Sequence, residues 1–111
     1  MSYKFGDVVL ILFPFTNQQG RKARPAAIVS SDAYHAHKPD VILAAITSQI
    51  HTPLEYGEIL LYDWQSAGLL KPPLLKPVLF TAEKMMLTKT LGALSVRDQQ
   101  VLQQMLRQIL G

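Results

Sequence analysis

The sequence predicts a mainly β protein, a small twisted barrel with one helix packed against it at the C-terminal end. Three observations lead there. Apolar, partly β-branched runs at 8–13, 25–30, 41–47 and 75–81 are each short and closed by turn-forming residues, as buried strands are. Ser95-Val96-Arg97-Asp98 reads as a capping box, and behind it Val101, Leu102, Met105, Leu106, Ile109 and Leu110 recur on one helical face. The 111 residues contain no internal repeat, low-complexity tract or linker, so the expectation is one domain over 1–111.

Taken in order, Gly6-Asp7 forms a tight turn into 8–13, a continuous apolar run ended by Pro14 and hence a strand buried on both faces. A polar loop over 16–23 joins it to the second strand, 25–30, in an extended hairpin. Residues 31–37 suit a short helical turn capped by Ser31 or Asp32, and Lys38-Pro39-Asp40 leads into the third strand, 41–47. Beyond Ser48-Gln49 a Pro53-containing segment reaches a fourth strand, 57–62. An aspartate-capped helical turn begins at Asp63 and stops at Gly68, and Lys71-Pro72-Pro73 enforces an extended connection to the fifth strand. Residues 83–89 form a short strand or edge, 90–94 turn the chain, and a helix of about four turns completes it.

Composition narrows the chemistry. Without cysteine there is no disulfide, no Cys-based zinc site and no thiol nucleophile. The opening residues lack the features of a signal peptide, which predicts a cytoplasmic protein. The apolar runs fall short of the roughly 20 residues that cross a bilayer. The 49% hydrophobic content therefore belongs to a packed core rather than to a membrane. Eleven Lys and Arg against eight Asp and Glu give +3, compatible with a polyanionic partner. Arg21, Lys22 and Arg24 are grouped in and beside the polar loop, where basic side chains can track phosphates.

Arg24-Pro25 and Ile46-Thr47-Ser48-Gln49 fall at strand ends, where a rigid sheet meets solvent. A guanidinium there offers a planar fork of donors to phosphate oxygens, and a hydroxyl can donate to the same group. Taken singly, Arg24 reads more readily as an ion-paired surface arginine, and Thr47 and Ser48 more readily as groups that satisfy backbone where a strand stops. His35, His37 and His51 have no third ligand at metal-like spacing, so they read as surface histidines and no metal site is expected. There is also no glycine-rich phosphate loop, nucleophile elbow or dinucleotide fingerprint. Trp64 and Met85-Met86-Leu87 fit a core or a dimer contact.

The ordered set Gly6-Asp7-Val8-Val9, Phe13-Pro14-Phe15-Thr16, Arg24-Pro25-Ala26 and Ile46-Thr47-Ser48-Gln49 resembles the MazF/PemK toxins of type II toxin-antitoxin systems. Asp63-Trp64, Ala67-Gly68-Leu69, Lys71-Pro72 and Leu91-Gly92-Ala93-Leu94-Ser95 continue the resemblance over nearly the whole chain. It implies a homodimeric, SH3-like small barrel with a C-terminal helix. It also implies a metal-independent, sequence-specific endoribonuclease that cleaves single-stranded RNA by 2′-hydroxyl attack without a cofactor, neutralised by a cognate antitoxin lying across the RNA groove.

By the same resemblance Arg24 and Thr47 are the catalytic pair, and Gln18, Gln19, Arg21, Lys22, Ser48 and Gln49 are RNA-binding candidates by proximity. Arginine keeps its proton at neutral pH, so Arg24 is a poor general base. One departure is Pro73, where the family commonly has serine. An alternative on the same fold is a non-enzymatic, CcdB-like gyrase poison, although the end Gln108-Ile109-Leu110-Gly111 lacks the tryptophan of gyrase-binding relatives. A catalytically silent interaction module is the third reading.

Overall fold

The computed structural model describes residues 2–14 and 21–111, with side chains for 2–12 and 23–111. Strands β1 (Asp7–Pro14), β2 (Arg21–Ile28), β3 (Asp40–Thr47), β4 (Ile59–Leu60), β5 (Leu74–Glu83) and β6 (Leu87–Ala93) form one antiparallel sheet in the order β4-β5-β3-β2-β1-β6. Helix α1 (Asp32–His37) joins β2 to β3, a 3-10 turn (Lys84–Met86) joins β5 to β6, and helix α2 (Val96–Leu110) follows β6. None of the helices among the described residues is long and apolar enough to cross a membrane.

The 3-10 turn requires the sheet to roll up. Three strands separate β5 from β6 in the sheet order, which in a flat sheet is about 19 Å at ~4.8 Å per strand. The four steps from Glu83 to Leu87 reach at most about 14 Å even when fully extended. The two strands must therefore curl toward each other, giving the small barrel that the apolar runs predict.

Rolling the sheet creates two cores. Val9, Ile11, Ala26, Ile28, Val41, Leu43 and Leu87 form the cluster inside the curl, with Tyr3, Phe80 and Met86 against it. Val8, Ala27, Ala44, Ile46 and Leu75 face the other way and meet Leu102 and Met105 of α2, together with Leu61, Ala67 and Leu94. Neighbours such as Val8 and Val9 thus serve different cores, which is why β1 is an unbroken apolar run. Leu102 is fully buried, and a side chain of that size contributes roughly 2–3 kcal/mol when buried.

The expected capping box is half present. Ser95 Oγ accepts from Asp98 N–H at 3.1 Å, but the Asp98 carboxylate does not return to the cap. Fully buried, it accepts from Tyr62 N–H at 2.9 Å and Asp63 N–H at 2.8 Å. Those donors are consequently lost to the sheet, and at the other end Gly57 turns at φ +85° and Glu58 N–H donates back to the Glu55 carbonyl oxygen at 3.0 Å, so the strand expected over 57–62 shrinks to Ile59–Leu60. Asp63 likewise does not cap a helical turn. Its carboxylate accepts from Arg97 Nη2 at 2.8 Å and Ser95 Oγ at 2.6 Å, and these bonds, Arg97 first, hold it below the usual carboxylate range.

Residues 64–68 are consecutive tight turns, ended at Gly68 as expected, where φ is +85°. The strand expected at 83–89 begins only after the 3-10 turn and runs on to Ala93, because β1 pairs it as far as Asp7–Ala93 across two bulges.

Candidate functional site

The β2–β3 ladder ends at Ala26–Ala45. Continued by two residues in the same register, it would set Arg24 opposite Thr47. Arg24 is not at the strand end that the sequence predicts, because β1 pairs β2 on through Arg24 to Arg21. It is the pairing with β3 that stops first, so β2 and the end of β3 part there, and a groove of about 400 Å³ opens between them.

Its second wall is an arch, 68–73, with two footholds. At one end the turn at Gly68 lies on β6 so closely that a Cβ on Gly68 would stand 2.2 Å from the Leu91 carbonyl oxygen. At the other, Leu74 pairs with Thr47 of β3. The floor between them is apolar, formed by Leu10, Pro25, Ile46 and Leu91, and the arch adds Leu69, Leu70 and the buried Pro73.

The polar lining consists of Arg24, Thr47, Ser48, Gln49 and Lys71. Among the described lining residues there is no carboxylate and no imidazole. Thr47 Oγ1 accepts from Gln49 N–H at 3.1 Å. This engages the oxygen as an acceptor and leaves its proton to be donated into the groove. Two cations and an oriented hydroxyl suit a group that carries or develops negative charge.

The structure therefore brings together four of the residues expected from sequence, Arg24, Thr47, Ser48 and Gln49. Gln18 and Gln19 lie outside the described residues. Arg21 and Lys22 are placed in β2, but their side chains lie outside them too.

Lys71 is the residue that sequence reading missed. A signal was present, since it is the only charged residue between Asp63 and Lys76 and two prolines follow it. Pro73 forms part of the groove wall, so the departure noted in the sequence falls at the site itself.

The histidines are engaged elsewhere. His35 Nδ1–H donates to the Tyr3 carbonyl oxygen at 2.9 Å and its Nε2 meets Ser30 Oγ. His37 Nδ1–H donates to the Ala33 carbonyl oxygen at 2.8 Å. His51 Nε2 stands 3.2 Å from the nearly buried Glu58 carboxylate. That carboxylate also accepts from Glu55 N–H at 2.7 Å, and this bond, followed by His51, holds it below the usual carboxylate range. Among the described residues no three His, Asp or Glu side chains converge as a metal-holding group.

The model of the PemK-like, MazF-like toxins of type II toxin-antitoxin systems matches residues 4–110. The chain belongs to this family. As a PemK/MazF toxin it has the fold of solved relatives at low sequence identity. A mycobacterial endoribonuclease solved with its cognate antitoxin superposes at a TM-score of 0.78 with 20% identity, covering 99% of this chain and 96% of that one.

A MazE-MazF structure from Deinococcus radiodurans gives 0.77 at 18% identity, covering 100% and 98%. The Mycobacterium tuberculosis toxin MazF-mt6 gives 0.69 at 19%, covering 92% and 95%. At these identities the likeness establishes the shared fold of the PemK/MazF toxins. A comparison with curated proteins finds no match.

Proposed function

We propose that this PemK/MazF toxin is a metal-independent, sequence-specific endoribonuclease of single-stranded RNA, formed by one domain over 1–111. It acts in the cytoplasm as a homodimer and is neutralised by a cognate antitoxin. The observation that carries the reading is the groove itself, which joins Arg24, Thr47 and Lys71 on an apolar floor with no carboxylate among its described lining residues. Such a lining favours a phosphodiester strand, whose charge meets the cations and whose bases meet the floor. Solved relatives described as endoribonucleases and as antitoxin complexes support the reaction class and the partner.

In the reaction the ribose 2′-oxygen bonds to the adjacent phosphorus and the bond to the 5′-oxygen breaks. The 2′-hydroxyl gives up a proton and the departing 5′-oxygen takes one up, leaving a cyclic phosphate and a 5′-hydroxyl. Arg24 and Thr47 donate to the phosphate oxygens as charge builds on them, and each donor of this kind contributes ~3 kcal/mol. The exposed apolar side chains Leu70, Val96 and Leu110 supply surface for the homodimer. The CcdB-like alternative is not favoured, because the family matched is PemK/MazF and the groove assembles the pair that a gyrase poison does not need.

The test is cleavage of a long single-stranded RNA in EDTA by the wild-type chain, Arg24→Ala and Thr47→Ala, with the product ends identified. Cutting in chelator that leaves cyclic phosphate and collapses in both folded variants supports the reading. No cutting by folded, antitoxin-free wild type across varied RNAs overturns it.

A further inference from the structure

The groove contains a cation, Lys71, to which the reaction drawn above gives no part. Lys71 stands on the arch between its footholds at Leu91 and Thr47, exposed and lining the groove. A second lysine lies just beyond the lining. Lys89 of β6 pairs with Leu10 of β1, and residues directly opposite in an antiparallel ladder project from the same face. Leu10 forms the groove floor, so the exposed Lys89 stands at its margin on that face.

Among the described residues the ion pairs are Arg97 with Asp63 and His51 with Glu58. Neither Lys71 nor Lys89 takes part, and no carboxylate is among the described residues that line the groove. Their ammonium groups remain available to a polyanion, one on the arch and one at the β6 margin of the groove that contains Arg24 and Thr47.

We propose that Lys71 and Lys89 hold the phosphates flanking the scissile one, so that the strand is gripped on both sides of the bond to be cut. This rests on the ribonuclease reading above and extends it to two residues that grip rather than react. An ammonium on a flexible stem suits that task, because it meets phosphate as a point charge without demanding one geometry.

The test uses the full chain, an RNA of about ten nucleotides containing a mapped cleavage sequence, and the same RNA with a 2′-deoxy sugar at the attacking position for affinity measurements. Lys71→Gln and Lys89→Gln should each raise KM several-fold with kcat retained. Each should also flatten the dependence of log affinity on log salt by about 0.7, the value for one phosphate contact on a single strand. Both effects should vanish on a dinucleoside monophosphate, which contains only the scissile phosphate. Lys84→Gln serves as the control, since Lys84 lines a different hollow with Tyr3 and His35, and its slope should stay at the wild-type value.

Unchanged slopes in folded Lys71 and Lys89 variants overturn the proposal, as does a loss that falls on kcat or persists on the dinucleotide. If wild type cuts no RNA, the ribonuclease reading itself fails, a result distinct from either.

Discussion

The backbone N–H of Gln49 donates to Thr47 Oγ1 at 3.1 Å, fixing the hydroxyl as an acceptor from its own chain and a donor toward the groove. Removing the hydroxyl while keeping the shape should therefore remove a donor to the transition state. Thr47→Val is expected to lower kcat about 10²- to 10³-fold, and Thr47→Ser to recover most of it. Gln49→Ala keeps the N–H and should move KM rather than kcat. Steady-state kinetics on one mapped RNA check all three, and a kcat for Thr47→Val near wild type would remove the hydroxyl from the chemistry.

Asp98 accepts two backbone N–H groups with no exposure to solvent. Asp98→Asn replaces one of those oxygens with a donor that faces another donor. The expected loss is about 3 kcal/mol of stability, read as a lower urea midpoint at unchanged slope. Because Tyr62 and Asp63 lead into the arch, cleavage should fall as well.

Glu58 and Asp63 both ionise more readily in the folded protein than in the unfolded chain, Glu58 through Glu55 N–H and then His51, Asp63 through Arg97 and then Ser95. A carboxylate of this kind stabilises the fold above its unfolded pKa, and the contribution disappears as pH falls through the lower, folded value. Stability should therefore decline on acidification from about pH 5 downward. Urea midpoints measured across that range should fall less steeply in Glu58→Gln than in wild type. Parallel curves would show that the Glu58 contacts do not contribute.

Gly68 and Gly92 meet where the arch rests on β6. A Cβ on Gly68 would stand 2.2 Å from the Leu91 carbonyl oxygen, and one on Gly92 would stand 2.7 Å from the Ala67 carbonyl. Gly68 adds a positive φ, which a side chain disfavours by roughly 1–2 kcal/mol. Gly68→Ala should therefore unfold at lower urea than Gly92→Ala, and both should lose cleavage along with stability. A Gly68→Ala protein of full activity would show that the arch does not need this foothold.

Local signals were legible in the sequence and long-range ones were not. The unbroken run of β1, the Ser31 and Ser95 caps and the amphipathic face of α2 depend on residues within one element, and each stands as expected, save that Leu110 at the end of α2 is exposed. Arg24 and Thr47 could be paired because their strands are neighbours in the chain as well as in the sheet. Asp98 could not be read correctly, since the N–H groups that divert it lie 36 and 35 residues away. The same limit hid Lys71 and Leu91, which belong to the groove only once the arch has come down on β6. The early end of β4 has the same cause as the half-formed capping box, because both depend on where Asp98 points.

The arch also bears on when the toxin becomes dangerous to the cell that makes it. Arg24 and Thr47 are synthesised early, but the foothold at Leu91 is not, and neither is the β6 strand that supports the floor at Leu10. A chain halted on the ribosome before Leu87 would contain Arg24 and Thr47, the pair proposed to act on the phosphate, and no groove in which to use them. Harm to RNA, including the message being read, would then begin only with the finished polypeptide, when an antitoxin also has a complete surface to cover.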